Sequence, residues 1–147
     1  MVHWVLRGAV LLWALFFFIV GLRGLFDPAS YTETFGIDIS GFVANTIRAD
    51  LSAFFLVGAG GAAIGALAPG WLRALLVPAA LFGTALAGRL LGAAMGDPIN
   101  FGIVQGIIIE ALTVILMVGS WWILSRPPAT AVQAVGGAGQ DGANPGY

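Results

Sequence analysis

Four ionisable side chains lie inside long apolar stretches of the sequence, namely Arg48, Asp50, Arg89 and Glu110. At the centre of a helix in hydrocarbon each charge costs about 2.5–3.5 kcal/mol, so that four unpaired charges cost on the order of 10 kcal/mol. Two arginines and two acids can neutralise one another, and we therefore expect the four to meet inside the protein. Such a cluster can bind an anion or a carbonyl group through the arginine fork, and a buried carboxyl group can act as a general acid or base.

The composition places the chain in a lipid bilayer. Of its 147 residues, 59% are hydrophobic and 9% are charged, whereas soluble domains carry roughly 25% charged residues. Six arginines against seven acids leave a net charge of −1, which is not the basic character of a nucleic-acid-binding protein. The chain has no cysteine and one histidine, His3, so it offers neither a thiolate nor a histidine cluster. We predict no metal, no cofactor and no nucleic-acid partner.

Four segments are long enough to cross the hydrocarbon, which takes about 20 helical residues. They cover residues 4–26, 42–67, 71–95 and 98–124. Asp97 is expected to cap the last helix, with Pro98 in its first turn; its alternative role is at the rim of a pocket. Residues 127–147 are too poor in large apolar groups to pack and are predicted to be a disordered tail. The fold class is all-α, a four-helix transmembrane bundle within residues 1–126.

The distribution of charge and tryptophan orients this bundle. Three arginines flank one end of it, Arg7, Arg73 and Arg126. The other end carries most of the acids, and the positive-inside rule then makes both termini cytoplasmic. Four tryptophans fall at the same cytoplasmic level, Trp4, Trp71, Trp121 and Trp122. Counted at 1.5 Å per residue from the outer helix ends, the four intramembrane charges are about 9 to 18 Å deep, in the outer half of the membrane.

Helical spacing indicates which of these charges point into the bundle. Glu110 follows Gly106 by one turn, and small residues mark the faces on which membrane helices pack. Asp50 shares a face with Gly58 in a regular helix, so we expect Asp50 in the bundle interior. Arg48 is about 200° away from Asp50 around the helix. It is expected to curl toward Asp50 or to extend to the outer interface.

Short motifs at these positions resemble a known family. They are Arg48-Ala49-Asp50, Gly88-Arg89, Gly96-Asp97-Pro98 and Glu110. Over about residues 4–125 the chain is similar to uncharacterised bacterial four-span membrane proteins that resemble the DoxX/DoxD-like group. The resemblance implies a multi-pass protein of the bacterial inner membrane with a site built from these charged positions. Some members are associated with oxidoreductase complexes or thiol metabolism, but this chain departs from them in having no cysteine and no pair of haem ligands.

Three functions fit the charged residues. The first is an accessory subunit or a binder of a small amphiphile, whose ligand-binding residues would be Arg48, Arg89, Asp97 and Asn45. The second is a membrane-embedded enzyme, an isomerase, cyclase or epoxide-opening hydrolase acting on a lipid-soluble substrate. Its general acid or base would be Glu110 or Asp50. The third is a proton-coupled carrier with Glu110 as the relay, which needs an oligomer because four helices are few.

A structural alternative stands beside each of these functions. Arg89 can form an ion pair with an acid only to fix the register of two helices, and Asn45 can simply bond a neighbouring helix. An enzyme should enclose a cavity of roughly 300 Å³ or more beside Glu110, whereas a register pair needs none. A carrier should have a second opening on the cytoplasmic side, past Gly58–Gly65. The expected partners are the bilayer, a small amphiphile, and either a second copy or another membrane subunit.

Overall fold

The computed structural model describes residues 1–68 and 70–126, and the predicted tail, residues 127–147, lies outside them. The described chain is helical apart from its turns and contains no strand. Four helices are long and apolar enough to cross a membrane, Val2–Phe26, Gly41–Leu67, Leu72–Met95 and Phe101–Leu124. We refer to them as the first to fourth helices. The all-helical, four-helix expectation is confirmed.

The helices follow one another around the bundle and alternate in direction. The first packs on the second and the third on the fourth, and the second also contacts the third. One core cluster joins Val10 near the start of the first helix to Ala66 at the end of the second. It continues to Leu75 at the start of the third helix and Met117 near the end of the fourth. Neighbouring helices are therefore antiparallel, and the described chain begins and ends at the same end of the bundle.

Close approach of the helices depends on small residues. A Cβ atom added at Gly65 would lie 2.7 Å from Cγ of Leu75, so no larger side chain fits between the second and third helices there. At mid-height the core is aromatic, with Phe17 and Phe82 buried and Trp13 packed against both rings. Trp13 Nε1 also donates a hydrogen bond of 2.9 Å to Thr113 Oγ1, which ties the first helix to the fourth.

The connection between the first two helices lies over the other end of the bundle. It contains a 3₁₀ turn at Pro28–Tyr31 and a helical turn at Thr32–Phe35. A Cβ at Gly102 would lie 3.9 Å from the Thr34 carbonyl oxygen, so this segment reaches the start of the fourth helix. The Tyr31 hydroxyl donates a 2.7 Å hydrogen bond to the Val20 carbonyl, which fastens the segment to the first helix.

The turn before the fourth helix corrects one prediction. The cap of that helix is Asn100, whose side chain accepts a 2.9 Å hydrogen bond from the Ile103 N–H. Asp97 instead belongs to the end of the third helix, where its N–H donates to the Gly92 carbonyl and Gly96 has a φ of 90°. These features make a Schellman motif, which glycine at the C′ position favours. The prediction that Asp97 caps the fourth helix was therefore wrong.

Candidate functional site

An ion pair joins the third and fourth helices in the half of the bundle away from the described chain ends. Arg89 Nε donates to Glu110 Oε1 at 2.7 Å, with side chains 37% and 7% exposed respectively. The pairing of Arg89 with an acid on another helix, expected from the sequence, is confirmed. A planar guanidinium fork suits this role because it stays charged and still has donors left after one bond is made.

Gly106 gives Arg89 the room to cross the fourth helix. A Cβ at this position would lie 2.9 Å from Cζ and 3.0 Å from Nε of Arg89. The first distance is shorter than real Cβ contacts and the second is shorter than most of them, so any larger residue would push the guanidinium aside. Gly106 lies one turn before Glu110 on the same face. The glycine and the glutamate together therefore hold the arginine against the fourth helix.

The pair leaves polar atoms free on both partners. Glu110 Oε2 is buried and has no hydrogen-bond partner within the described residues. The Nη1 and Nη2 atoms of Arg89 likewise make no hydrogen bond to any residue of 1–68 or 70–126. Because Arg89 is about a third exposed, these nitrogen atoms can still donate to an anion that comes from outside the bundle.

A groove runs beside Arg89 at this end of the molecule. Its volume is about 310 Å³, and it is open rather than enclosed. It is lined by Arg89, Asp97 and mostly small or apolar residues, among them Ala85, Ile99 and Ile103. Glu110 is not in this lining. The groove thus borders the arginine but not its glutamate partner.

A second, apolar groove continues from the first. It has a volume of about 390 Å³ and is lined by Phe54, Ala80, Leu81, Thr84 and Ala85. Ala85 belongs to both grooves. Leu81, Ala85 and Arg89 follow at i, i+4 and i+8, so they share one face of the third helix. The surface therefore has a charged end near the end of the helix and an apolar stretch that runs deeper.

Asp97 lies at the rim of the charged end. It is exposed, and a Cβ at Gly92 would lie 2.7 Å from its Oδ2 atom. The Schellman turn that ends the third helix holds the residue in this place. Its carboxylate forms no ion pair with Arg89, and Arg89–Glu110 is the salt bridge found in the described part of the chain. Of the two roles considered from the sequence, the rim position is the observed one.

The structure does not assemble all four intramembrane charges in one cluster. Arg48 and Asp50 are both exposed, and no hydrogen bond or salt bridge in residues 1–68 and 70–126 joins them to Arg89 or Glu110. Arg48 Nε donates to the Leu25 carbonyl at 3.3 Å, at the end of the first helix. Asn45 is also exposed and lies outside the lining of both grooves. The expected four-charge centre is therefore reduced to one pair.

Asp50 lies within a π turn and is about 200° around the helix from the buried Ser52. Residues Ile47–Leu51 form one π-helical turn in the second helix, which holds one more residue than an α turn. The i, i+4 register that connects Asp50 to Gly58 in a regular helix is broken there. Ser52 is the buried polar residue instead, and its Oγ donates to the Ile47 carbonyl at 3.3 Å.

Some functional features escaped the sequence analysis. The apolar groove was not predicted, although the spacing of Leu81, Ala85 and Arg89 could have indicated it. The seat that Gly106 forms for Arg89 was not predicted either, because it depends on the rotation of the third helix against the fourth. No group of three or more His, Cys, Asp or Glu side chains able to hold a metal occurs in the described residues.

Tyr31 lies in the 3₁₀ turn of the connection between the first two long helices, outside the membrane-spanning helices. Burial raises the pKa of Tyr31 above its ordinary value of 10.0, and the charge of Arg23 offsets part of this rise. The neutral hydroxyl donates to the Val20 carbonyl, an interaction that the phenolate cannot make. Burial and this hydrogen bond both favour the neutral form of Tyr31.

Comparison of the chain with protein-family models, curated proteins and solved structures finds no match. The resemblance to the DoxX/DoxD-like group therefore stays a prediction, and the functional argument depends on the geometry of the two grooves.

Proposed function

We propose that this chain is an integral membrane protein that binds a small amphiphile in the two grooves beside its third helix. The polar head would bind Arg89, and the apolar tail would lie along Ala85, Leu81 and Phe54. The observation that carries the proposal is that a groove containing Arg89 and an apolar groove lie side by side and share the lining residue Ala85. The four long apolar helices support the membrane location.

The position of the two grooves suits a molecule that lies in one leaflet. Arg89 is about 9 Å from the end of the third helix, and the apolar groove runs from there toward the middle of the membrane. A lipid-like molecule has the same order of polarity, with its head at the interface and its tail below. With both termini in the cytoplasm, the ligand would occupy the outer leaflet of a bacterial inner membrane.

Arg89 supplies the recognition of the head in this proposal. Its Nη atoms are free of protein partners in the described chain, and they can donate two parallel hydrogen bonds to a phosphate or carboxylate. Glu110 holds the Nε edge, which orients the guanidinium before a ligand arrives. The Arg89–Glu110 pair then fixes helix register and prepares the binding group at once.

A binding titration tests the proposal. The chain has no cysteine, so Ile99→Cys at the groove can carry a single environment-sensitive fluorophore. We expect a saturable signal with dodecyl phosphate in neutral maltoside micelles and none with dodecanol. Because hydrogen bonds to charged groups are worth about 1.5–3 kcal/mol, replacing both members of the pair with Arg89→Gln and Glu110→Gln should weaken binding about tenfold or more. Arg73→Gln, on an exposed arginine at the other end, is the control. Equal affinity for dodecyl phosphate in the parent protein, the double variant and Arg73→Gln would contradict the proposal.

A second candidate function is favoured by one atom. The buried Oε2 of Glu110 has no partner in the described chain, which leaves one carboxyl oxygen able to exchange a proton with a substrate. This supports a membrane-embedded isomerase, cyclase or epoxide-opening hydrolase as the alternative. Glu110 lines neither groove, so this function needs a cavity beside Glu110 to open. Incubation with a lipid-soluble epoxide and mass analysis of the products would test it. Glu110→Gln should abolish conversion of the epoxide, whereas the amount of epoxide that binds should stay the same.

The carrier hypothesis gains no support from the packing. Gly58 and Gly65 are themselves buried, and the core residues Val10, Leu75 and Met117 have no exposed surface.

A further inference from the structure

Asp97 occupies a position that is unfavourable for an anion. Its carboxylate lies over Gly92 in the last turn of the third helix. The C-terminal end of a helix carries a partial negative charge, so a carboxylate there is repelled rather than stabilised. No arginine within residues 1–68 and 70–126 pairs with Asp97. The rim of the groove is therefore a place where a cation from outside would be stabilised by the carboxylate and by the helix end together.

The same groove also presents a fixed cation, Arg89. The Asp97 carboxylate lies over Gly92. The backbone positions of Gly92 and Arg89 are three residues apart, which is about 4.5 Å along the helix axis. Arg89 and Asp97 both line the groove, yet they form no ion pair with each other. Two opposite charges that remain unpaired with each other in one groove match a zwitterionic ligand, which carries one positive and one negative group.

We propose that the ligand is a phospholipid with a phosphoethanolamine head, its phosphate on Arg89 and its ammonium on Asp97. This inference rests on the proposed function and adds the class of head group to it. A primary ammonium has three N–H donors, which a carboxylate accepts as charge-assisted hydrogen bonds. A quaternary ammonium has no such donor, and a phosphoglycerol head has no cation to place against Asp97.

Competition among matched lipids tests the head-group assignment. Native mass spectrometry of the full chain, released from neutral maltoside micelles, would compare phosphoethanolamine, phosphocholine and phosphoglycerol lipids with identical acyl chains. We expect the phosphoethanolamine lipid to bind about tenfold more tightly than the phosphoglycerol lipid, the size expected of one charge-assisted hydrogen bond. Free phosphoethanolamine should not compete at the same concentration, because it lacks the tail that the apolar groove holds.

Variants at the rim separate this inference from the proposed function. Asp97→Asn should remove the preference for phosphoethanolamine over phosphoglycerol, and Asp97→Lys should reverse it. Asp27→Asn changes an exposed acid at the same end of the bundle and should leave the preference intact. If all lipids depend on Arg89 but Asp97→Asn changes nothing, the head-group inference is overturned and the amphiphile site stands. If no lipid depends on Arg89, the proposed function itself fails.

Discussion

Gly106 of the fourth helix lies directly against the guanidinium of Arg89 from the third, so that a Cβ atom there would come within 2.9 Å of Cζ. The glycine thus determines where the arginine can lie, although it carries no charge and makes no hydrogen bond through a side chain. Because the Nη atoms of that arginine border the groove, the position of one small residue decides whether the binding group is in place.

Gly106→Ala should therefore weaken dodecyl phosphate binding and lower stability. The added Cβ would meet the movable end of Arg89, so the cost lies in the disturbed bond to Glu110. A hydrogen bond to a charged group is worth about 1.5–3 kcal/mol, which exceeds the gain of up to about 1 kcal/mol from replacing a helical glycine with alanine. Gly119→Ala is the matched control, because it lies on the same helix with nothing within 4 Å of the added Cβ. Unfolding in mixed micelles and the fluorescence titration would measure both effects. Equal behaviour of the two variants would show that Arg89 does not depend on Gly106.

Arg89→Leu should destabilise the bundle more than Arg73→Leu. Removing the arginine leaves Glu110, only 7% exposed, as an unpaired buried acid. For buried pairs this loss is about 3–5 kcal/mol, and we expect the lower end because Arg89 is partly exposed. The double variant with Glu110→Leu should recover much of the loss. Thermal unfolding in the same detergent measures all three, and a double variant no better than Arg89→Leu would argue against the pair.

The raised pKa of Tyr31 predicts that the protein loses stability in alkaline solution. Its pKa is raised in the folded protein, so the folded state holds the proton more tightly than the unfolded state. The corresponding stability is complete below the ordinary pKa of 10.0 and is lost as the pH rises through the folded pKa. Tyrosinate absorbance of the Tyr147→Phe variant should report Tyr31 titrating later than free tyrosine. Tyr31→Phe should remove the alkaline loss that Tyr147→Phe retains; the same alkaline loss in both variants would mean that Tyr31 is not its source.

The orientation of the bundle is open to a direct labelling test. Cysteines introduced singly at Glu33 and Trp71 are the only thiols in their chains, since the protein has none of its own. With both termini in the cytoplasm, a membrane-impermeant maleimide should label Glu33→Cys in intact cells. Trp71→Cys should react only after the membrane is opened. Labelling of both sites from outside, or the reverse order, would refute the orientation.

The sequence carried enough information to predict the ion pair. Charge cost alone required Arg89 to meet an acid, and the glycine spacing placed Glu110 on a packing face. The position of Asp50 could not be found in the same way. The prediction assumed a regular α-helix, whereas residues Ile47–Leu51 form a π turn. Local residue types did not indicate that turn.

The start of the fourth helix shows a similar limit. Asp97 and Asn100 are both residue types that cap helices, and local preference did not separate them. Gly96 decided the matter, because its left-handed conformation ends the third helix in a Schellman motif that includes Asp97. A glycine at that position could have indicated the motif. The spacing of Leu81, Ala85 and Arg89 could have indicated the face on which the apolar groove lies, but the size of the grooves depends on the distances between whole helices and could not be predicted from residue types.

The most direct measurement is photocrosslinking with an alkyl phosphate that carries a diazirine at the end of its chain, followed by peptide mass spectrometry. Binding of the phosphate to Arg89 with the tail in the apolar groove predicts adducts on Phe54, Leu81 and Thr84, and their loss in the Arg89→Gln and Glu110→Gln double variant. Adducts spread evenly over the exposed faces of the first and fourth helices, unchanged in that variant, would contradict the account.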